Sequence, residues 1–150
     1  GGTQRGGGVG HCLGCWRRRD KRVVLFDLKQ TDVTTRLRGN AAEDAALAHL
    51  LAAGLTLVER NYRTPGRGGG EIDLVMREAG GTLVFVEVRA RAATTHGGAA
   101  ASVGGVKQRR IVLAARHYLL RHRSPPACRF DVVAIDGNHI EWLKAAFDAA

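Results

Sequence analysis

The sequence lacks any apolar run long enough to cross a bilayer, and its N-terminal stretch has no apolar core of the kind that directs export. Cysteine is scarce. Three thiols cannot close a disulfide framework, so the expected setting is a reducing cytoplasm without membrane association. The single CxxC, Cys12 and Cys15 with His11 beside it, is not followed by a second pair, and an unstructured leader with incidental thiols is the simpler reading. The glycine-rich stretch 61–70 (NYRTPGRGGG) does not end in Gly-Lys-Ser/Thr, which excludes a nucleotide P-loop. Methionine occurs once, at Met76, and residue 1 is glycine, so the chain as given does not begin at its own initiator.

What is present suffices for one domain with a real core: 150 residues, 45% hydrophobic and 25% charged. The net charge of +9 is uneven. Residues 1–39 hold nine Lys/Arg against three Asp/Glu, and residues 40–150 hold fourteen against eleven. A basic surplus favours nucleic acid or another polyanion. Most of this one lies in a Gly- and Arg-rich segment without apolar periodicity. Residues 1–35 are therefore read as a disordered basic extension, in which 23–28 (VVLFDL) is a strand without an assigned neighbour, and residues 36–150 as the folded domain.

The folded part reads as helix, three strands, helix, two strands. Asn40 is a fitting N-cap and Gly54 a fitting C-terminal stop, with Leu47, Leu50 and Leu51 at helical spacing between them. Glu43 shares that apolar stripe. It either reaches back to Asn40 in a capping box or points inward at a site. Residues 55–59 form a strand, and 61–70 a mobile loop whose Arg63 and Arg67 can touch phosphate. A second helix is expected over 103–121, burying Ile111, Ala114, Ala115 and Tyr118. Lys107 falls on its buried stripe, either snorkelling or standing as a cation near acids. Arg109, Arg110, Arg116, Arg121 and Arg123 form a basic surface, a solvated face or one suited to a phosphate backbone. Residues 128–135 are a strand that begins at a buried Cys128. Gly137 and Asn138 turn into a strand at 139–143, and 144–150 close as a short cap. His96, in the small-residue loop 90–102, is read as solvent-exposed.

The most informative stretch is 71–91 (EIDLVMREAGGTLVFVEVRAR), an apolar hairpin carrying Asp73 and Glu87 where a core prefers Val or Ile. A three-residue turn at Ala79, Gly80 and Gly81 sets Val75 opposite Phe85, Asp73 opposite Glu87 and Glu71 opposite Arg89, all on one face. The other face then carries Ile72, Leu74 and Met76 against Val84, Val86 and Val88. Facing carboxylates repel unless a divalent cation lies between them, and hard oxygen ligands suit Mg²⁺ or Mn²⁺. The alternative is an internal network in which Arg89 pairs with Glu71 or Glu87.

A helix between strands three and four implies a right-handed crossover with parallel pairing, hence a mixed α/β sheet flanked by helices. Four motifs carry a resemblance: GEIDLV (70–75), VFVEVRAR (84–91), VKQRR (106–110) and RFDVVAI (129–135). Over residues 36–147 the chain resembles the YraN-like family of uncharacterised bacterial proteins, which is similar in turn to the PD-(D/E)xK, restriction endonuclease-like superfamily with its αβββαβ core. The resemblance implies that Asp73, Glu87 and the main-chain carbonyl of Val88 hold Mg²⁺ or Mn²⁺, and that Arg89 stands at the lysine position. It also implies that Glu43 is the acid of the first helix. Ile72 replaces the motif's proline. Arg89 replaces a residue that can shed a proton with one that cannot, leaving Lys107 as a second cation. The function so implied is a metal-dependent nuclease acting on DNA, branched or single-stranded, with Asp73, Glu87, Arg89, Glu43 and Lys107 as catalytic residues. Arg63, Arg67, Arg91, Arg109 and Arg110 would meet nucleic acid, and homodimer formation is left open. The rivals are a nucleic-acid-binding module that keeps the nuclease fold without its chemistry, and an interaction scaffold.

Overall fold

The stretch between 56 and 90 forms three antiparallel strands: β1 (Thr56–Arg63), β2 (Glu71–Arg77) and β3 (Leu83–Ala90). The computed structural model describes residues 30–90 and 103–149, with side chains from residue 39 onward. The expectations placed on Cys12 and Cys15, on the strand at 23–28, on Arg91 and on His96 lie outside the described residues. Helix α1 (Gln30–Ala52) precedes β1, helix α2 (Gly105–Leu119) follows β3, and β4 (Cys128–Asp136) and β5 (His139–Phe147) close the chain. The sheet order is β1-β2-β3-β4-β5, with β3 and β4 parallel and every other neighbouring pair antiparallel. This is the mixed α/β sheet, flanked by two helices, that the element order implies.

Two apolar clusters cover the two faces of the sheet. Ala42, Ala46 and Leu50, spaced by one helical turn along α1, pack on Leu74, Met76, Val84, Val86 and Val133. Ile111, Ala114, Ala115 and Tyr118 of α2 pack on Val75, Phe85, Phe130 and Val132. Strands β2 and β3 are thus buried on both sides, as near-continuous apolar strands at the centre of a helix-flanked sheet must be. Each of these fully buried large side chains contributes roughly 1.5–3 kcal/mol.

The hairpin forms the expected turn. Gly81 adopts a left-handed φ of 96°, and Glu78 N–H donates to the Thr82 carbonyl at 2.9 Å. The ladder then runs from Arg77↔Leu83 to Leu74↔Val86 in the expected register and stops there. Beyond that point the strands part, and Ile72 belongs to the α2-side cluster rather than sharing a face with Leu74 and Met76. The face assigned to Ile72 from strict alternation is therefore corrected. Asn61, in the β1 position across from Asp73, has a φ of 53° and interrupts the pleat there.

Other boundaries differ for local reasons. Asn40 lies inside α1, so it does not cap the helix, and the capping-box role for Glu43 falls with it. Gly39–Ala150 is one compact unit. Leu51 is exposed, because the alanine-rich stripe ending at Leu50 faces the sheet instead. Residues 61–63 continue β1 and shorten the loop to 64–70. β5 runs on to Phe147 through a left-handed Ala145 in place of the terminal cap. Cys128 is exposed rather than buried, since it opens β4 at the sheet's end.

Candidate functional site

Where β2 and β3 part, three carboxylates come into electrostatic range. Asp73 Oδ2 accepts a hydrogen bond from the Val88 N–H at 2.8 Å, taking the place of the ladder partner that the missing strand pairing would have supplied. Glu87, on the α2 side of β3, is buried, with its side chain 9% exposed. Glu43 approaches from α1, its side chain 15% exposed.

Burial and then the Asp73 charge push Glu87 up to about 8, with Lys107 acting in the opposite sense. Glu43 is raised for the same two reasons, burial first and Asp73 second, while the side chains of Arg60 and Asn61 pull it down. Lys107 Nζ lies 3.5 Å from Glu87 Oε2. Arg60 bridges α1, with its terminal nitrogen 2.8 Å from Asp44 and 3.6 Å from Glu43 Oε1. Glu43 Oε1 and Glu87 Oε1 are both buried without a hydrogen-bond partner. Two ionised carboxylates have no proton to offer each other, so Glu87 beside Asp73 requires either a shared proton or a cation.

Buried carboxylate oxygens without hydrogen-bond partners are the hard donor type that a divalent ion takes, here with Arg60 and Lys107 as the cations already nearby. Among the described residues no three His, Cys, Asp or Glu side chains converge closely enough to hold an ion by themselves. Asp73 and Glu87 would therefore need main-chain oxygen or water to complete a shell. What the structure shows of Val88 is its N–H, already donated to Asp73.

The remaining candidates divide by position. Arg89 follows Glu87 by two residues on β3, on the same side of the strand, and is half-buried. Arg63, exposed at the end of β1, pairs with Glu71 at 3.1 Å, and Arg67 is exposed on the 64–70 loop. Arg110 is committed to that loop: Nε and one terminal nitrogen donate to the Gly69 carbonyl at 3.2 and 2.9 Å. A Cβ at Gly70 would lie 1.8 Å from the Arg110 carbonyl oxygen, so the loop and helix meet backbone to backbone. The segment is a docked loop rather than the mobile connection anticipated. Arg109, two residues beyond Lys107, projects from the other side of α2, away from Glu87.

Sequence reasoning missed Arg60, Asn61 and Asp44. The only signal was polar residues at the end of a strand (59–61, ERN), which reads equally well as a loop. It also passed over Asp131, fully buried in β4, whose oxygens accept from Arg129 Nε, Trp142 Nε1 and Ala145 N–H at 2.9 Å each.

Fold and site together define a mixed α/β protein with a buried Glu87 and partly buried Asp73 and Glu43 near the splayed end of its central hairpin. The chain belongs to the uncharacterised protein family UPF0102, whose profile matches residues 42–135. This is the family reached from the motifs as YraN-like. A UPF0102 protein of Acidovorax sp. (strain JS42) is 69% identical over 117 residues, spanning 78% of this chain and 89% of that protein. One from Methylibium petroleiphilum is 69% identical over 121 residues, spanning 79% and 99%. One from Cupriavidus taiwanensis is 62% identical over 127 residues, spanning 84% and 95%. No helix among the described residues is long and apolar enough to cross a membrane.

Proposed function

We propose that the chain is a divalent-metal-dependent nuclease that hydrolyses phosphodiester bonds in DNA. The observation that carries this reading is the pair of buried carboxylate oxygens, Glu43 Oε1 and Glu87 Oε1, that have no hydrogen-bond partner and lie in the field of Asp73. Carboxylates held in that condition bind a cation well, because the cation removes both the desolvation penalty and the mutual repulsion. Asp73 and Glu87 hold the ion, and the Val88 N–H fixes Asp73 in place. When bound, Mg²⁺ or Mn²⁺ supplies Lewis acidity at the phosphoryl oxygen and lowers the pKa of a water. Lys107 supplies the ammonium that the Arg89 position lacks, and an ammonium, unlike a guanidinium, can give up a proton. Glu43, steadied by Arg60 and Asn61, adds a third negative charge on the α1 side. Arg63, beside Glu71, and Arg67, on the 64–70 loop, are exposed and supply the phosphate contacts of this reading.

The test is cleavage of labelled single-stranded, duplex and branched DNA with Mn²⁺ or Mg²⁺, using Asp73→Asn and Glu87→Gln. Loss of at least a hundredfold in rate in both variants is expected. Cleavage that survives both substitutions refutes the site. A second reading, DNA binding without hydrolysis, draws on the Glu87–Lys107 ion pair and on Arg89 in place of lysine. It predicts salt-sensitive DNA binding with no Mn²⁺ titration at Glu87.

A further inference from the structure

The face of α2 turned away from the sheet is not the solvated surface that its arginines suggest. Val106, Leu113 and Leu120 recur at intervals of seven residues, and all three are exposed, at 66%, 47% and 79%. Seven residues are close to two helical turns, so the three lie in one line down the centre of the exposed side. Arg109 and Arg116 run along one flank; on the other, Arg110 is held by the Gly69 carbonyl and His117 by the Tyr62 hydroxyl. Helix α2 contains no acidic residue at all. To the Arg109 and Arg116 side of Leu113 the surface is concave, a groove of about 540 Å³ lined by Gln108, Arg109, Val112, Leu113, Arg116 and Asp148; Val106 and Leu120 lie outside it. Arg116 donates to the Ala149 carbonyl at 3.1 Å and so fixes the C-terminal side of that groove.

We propose that this face is a docking groove for an acidic partner segment that carries apolar anchor residues. A line of exposed aliphatic side chains costs solubility and marks an interaction surface. The basic flanks specify the charge of what covers it. A phosphate backbone would use the arginines and leave the aliphatic centre unsatisfied. A second copy of the same face would set arginine against arginine. A bilayer has no use for a concave anchor site. An acidic helix with leucine-like anchors satisfies the features together: an apolar line, the Arg109 and Arg116 flank, and a groove beside Leu113 that takes one anchor. The inference stands apart from the nuclease reading, although the same helix carries Lys107 on its opposite side, facing Glu87.

The experiment uses the full chain and a fluorescein-labelled 18-residue helical peptide with leucines on one face and glutamates elsewhere. Controls are the same composition with leucines scattered, the lysine-for-glutamate version, phosphatidylglycerol vesicles and a 20-base-pair duplex. Fluorescence anisotropy is expected to show binding of the acidic amphipathic peptide over the scattered and lysine versions. Leu113→Glu and, separately, Arg109→Glu with Arg116→Glu should weaken it at least tenfold. Leu120→Ser provides a milder variant with a smaller loss, and unchanged melting curves confirm that the variants fold. Failure of the acidic peptide to bind, or equal binding by wild type and Leu113→Glu, overturns the proposal. Vesicle or duplex binding that exceeds peptide binding and is abolished by Leu113→Glu also overturns it, by assigning the face to a membrane or to nucleic acid.

Discussion

Replacing Glu87 by glutamine isolates the electrostatic condition of the site. Glu87 is displaced from the ordinary 4.5 to about 8, chiefly by burial and next by Asp73. Between those two values the folded state holds a proton that the unfolded state has released, so stability falls as pH rises. The contribution is complete below about pH 4.5 and lost as pH climbs through 8, where Glu87 ionises inside the protein. Each unit of displacement corresponds to about 1.4 kcal/mol, which makes the full swing on the order of several kcal/mol. Glutamine cannot ionise, so the Glu87→Gln variant should match wild type near pH 5 and exceed it by roughly 2 kcal/mol or more at pH 9. For a domain of this size that is a Tm higher by about 5–10 °C. A bound cation reverses the slope for wild type, because it selects the ionised form. Mn²⁺ should therefore stabilise wild type increasingly above pH 7, by about 2.7 kcal/mol at a hundredfold excess over Kd, and the variant far less. The assay is thermal unfolding by circular dichroism from pH 5 to 9, with and without Mn²⁺. Parallel pH curves for the two proteins, or equal Mn²⁺ stabilisation of both, would refute the reasoning.

Four further variants test the frame around the site. Asp131→Ala leaves Trp142 Nε1, the Ala145 N–H and Arg129 without their buried acceptor, and should cost about 3–5 kcal/mol in denaturant unfolding; a loss below about 1 kcal/mol would contradict the network. Gly70→Ala drives a Cβ against the Arg110 carbonyl oxygen and should destabilise by about 1–3 kcal/mol or more, lowering metal-dependent activity through the shifted Lys107. Gly66→Ala, in open space at a φ of 86°, should cost only about 1–2 kcal/mol and leave activity intact, and the reverse ranking would separate the loop from the site. Tyr62→Phe removes the hydroxyl that hydrogen-bonds His117 Nδ1 and should cost about 0.5–1.5 kcal/mol by urea denaturation, with no change in DNA cleavage.

The hairpin register was legible because one slip would bury charge against valine, and because Gly81 offers the left-handed residue that a three-residue turn needs. The crossover and parallel pairing followed from a helix of sufficient length between β3 and β4. The start of α1 was not legible. Residues 30–39 (QTDVTTRLRG) carry no apolar stripe, while Asn40 supplies a plausible cap that the continuing helix does not use. Cys128 and Leu51 were misplaced for a related reason. Their types favour burial, but their exposure depends on where a strand opens and on which helical stripe meets the sheet. The end of the β2–β3 ladder was hidden as well. It depends on the backbone of Asn61 in the neighbouring strand and on an Asp73 side chain that captures a main-chain N–H, and neither feature has a pattern in the sequence.

That hidden feature explains why the acids tolerate their positions in a central hairpin. Had the ladder continued, Asp73 and Glu87 would face each other across paired strands, with like charges directly opposed. Parting the strands lets Asp73 turn its Oδ2 to the Val88 N–H, and Ile72 moves to the α2-side cluster. The same opening lies within electrostatic reach of both helices. Glu43 comes from α1 on one side of the sheet and Lys107 from α2 on the other, each coupled electrostatically to the hairpin acids. Arg89 is tied to β3 and cannot change its charge. Lys107 comes from a separate element, held against β2 by the backbone contact at Gly70. On the proposed reading, proton transfer by a cationic side chain among the described residues near the hairpin acids runs through Lys107 of α2, so that chemistry depends on how the helix is seated as much as on the hairpin acids.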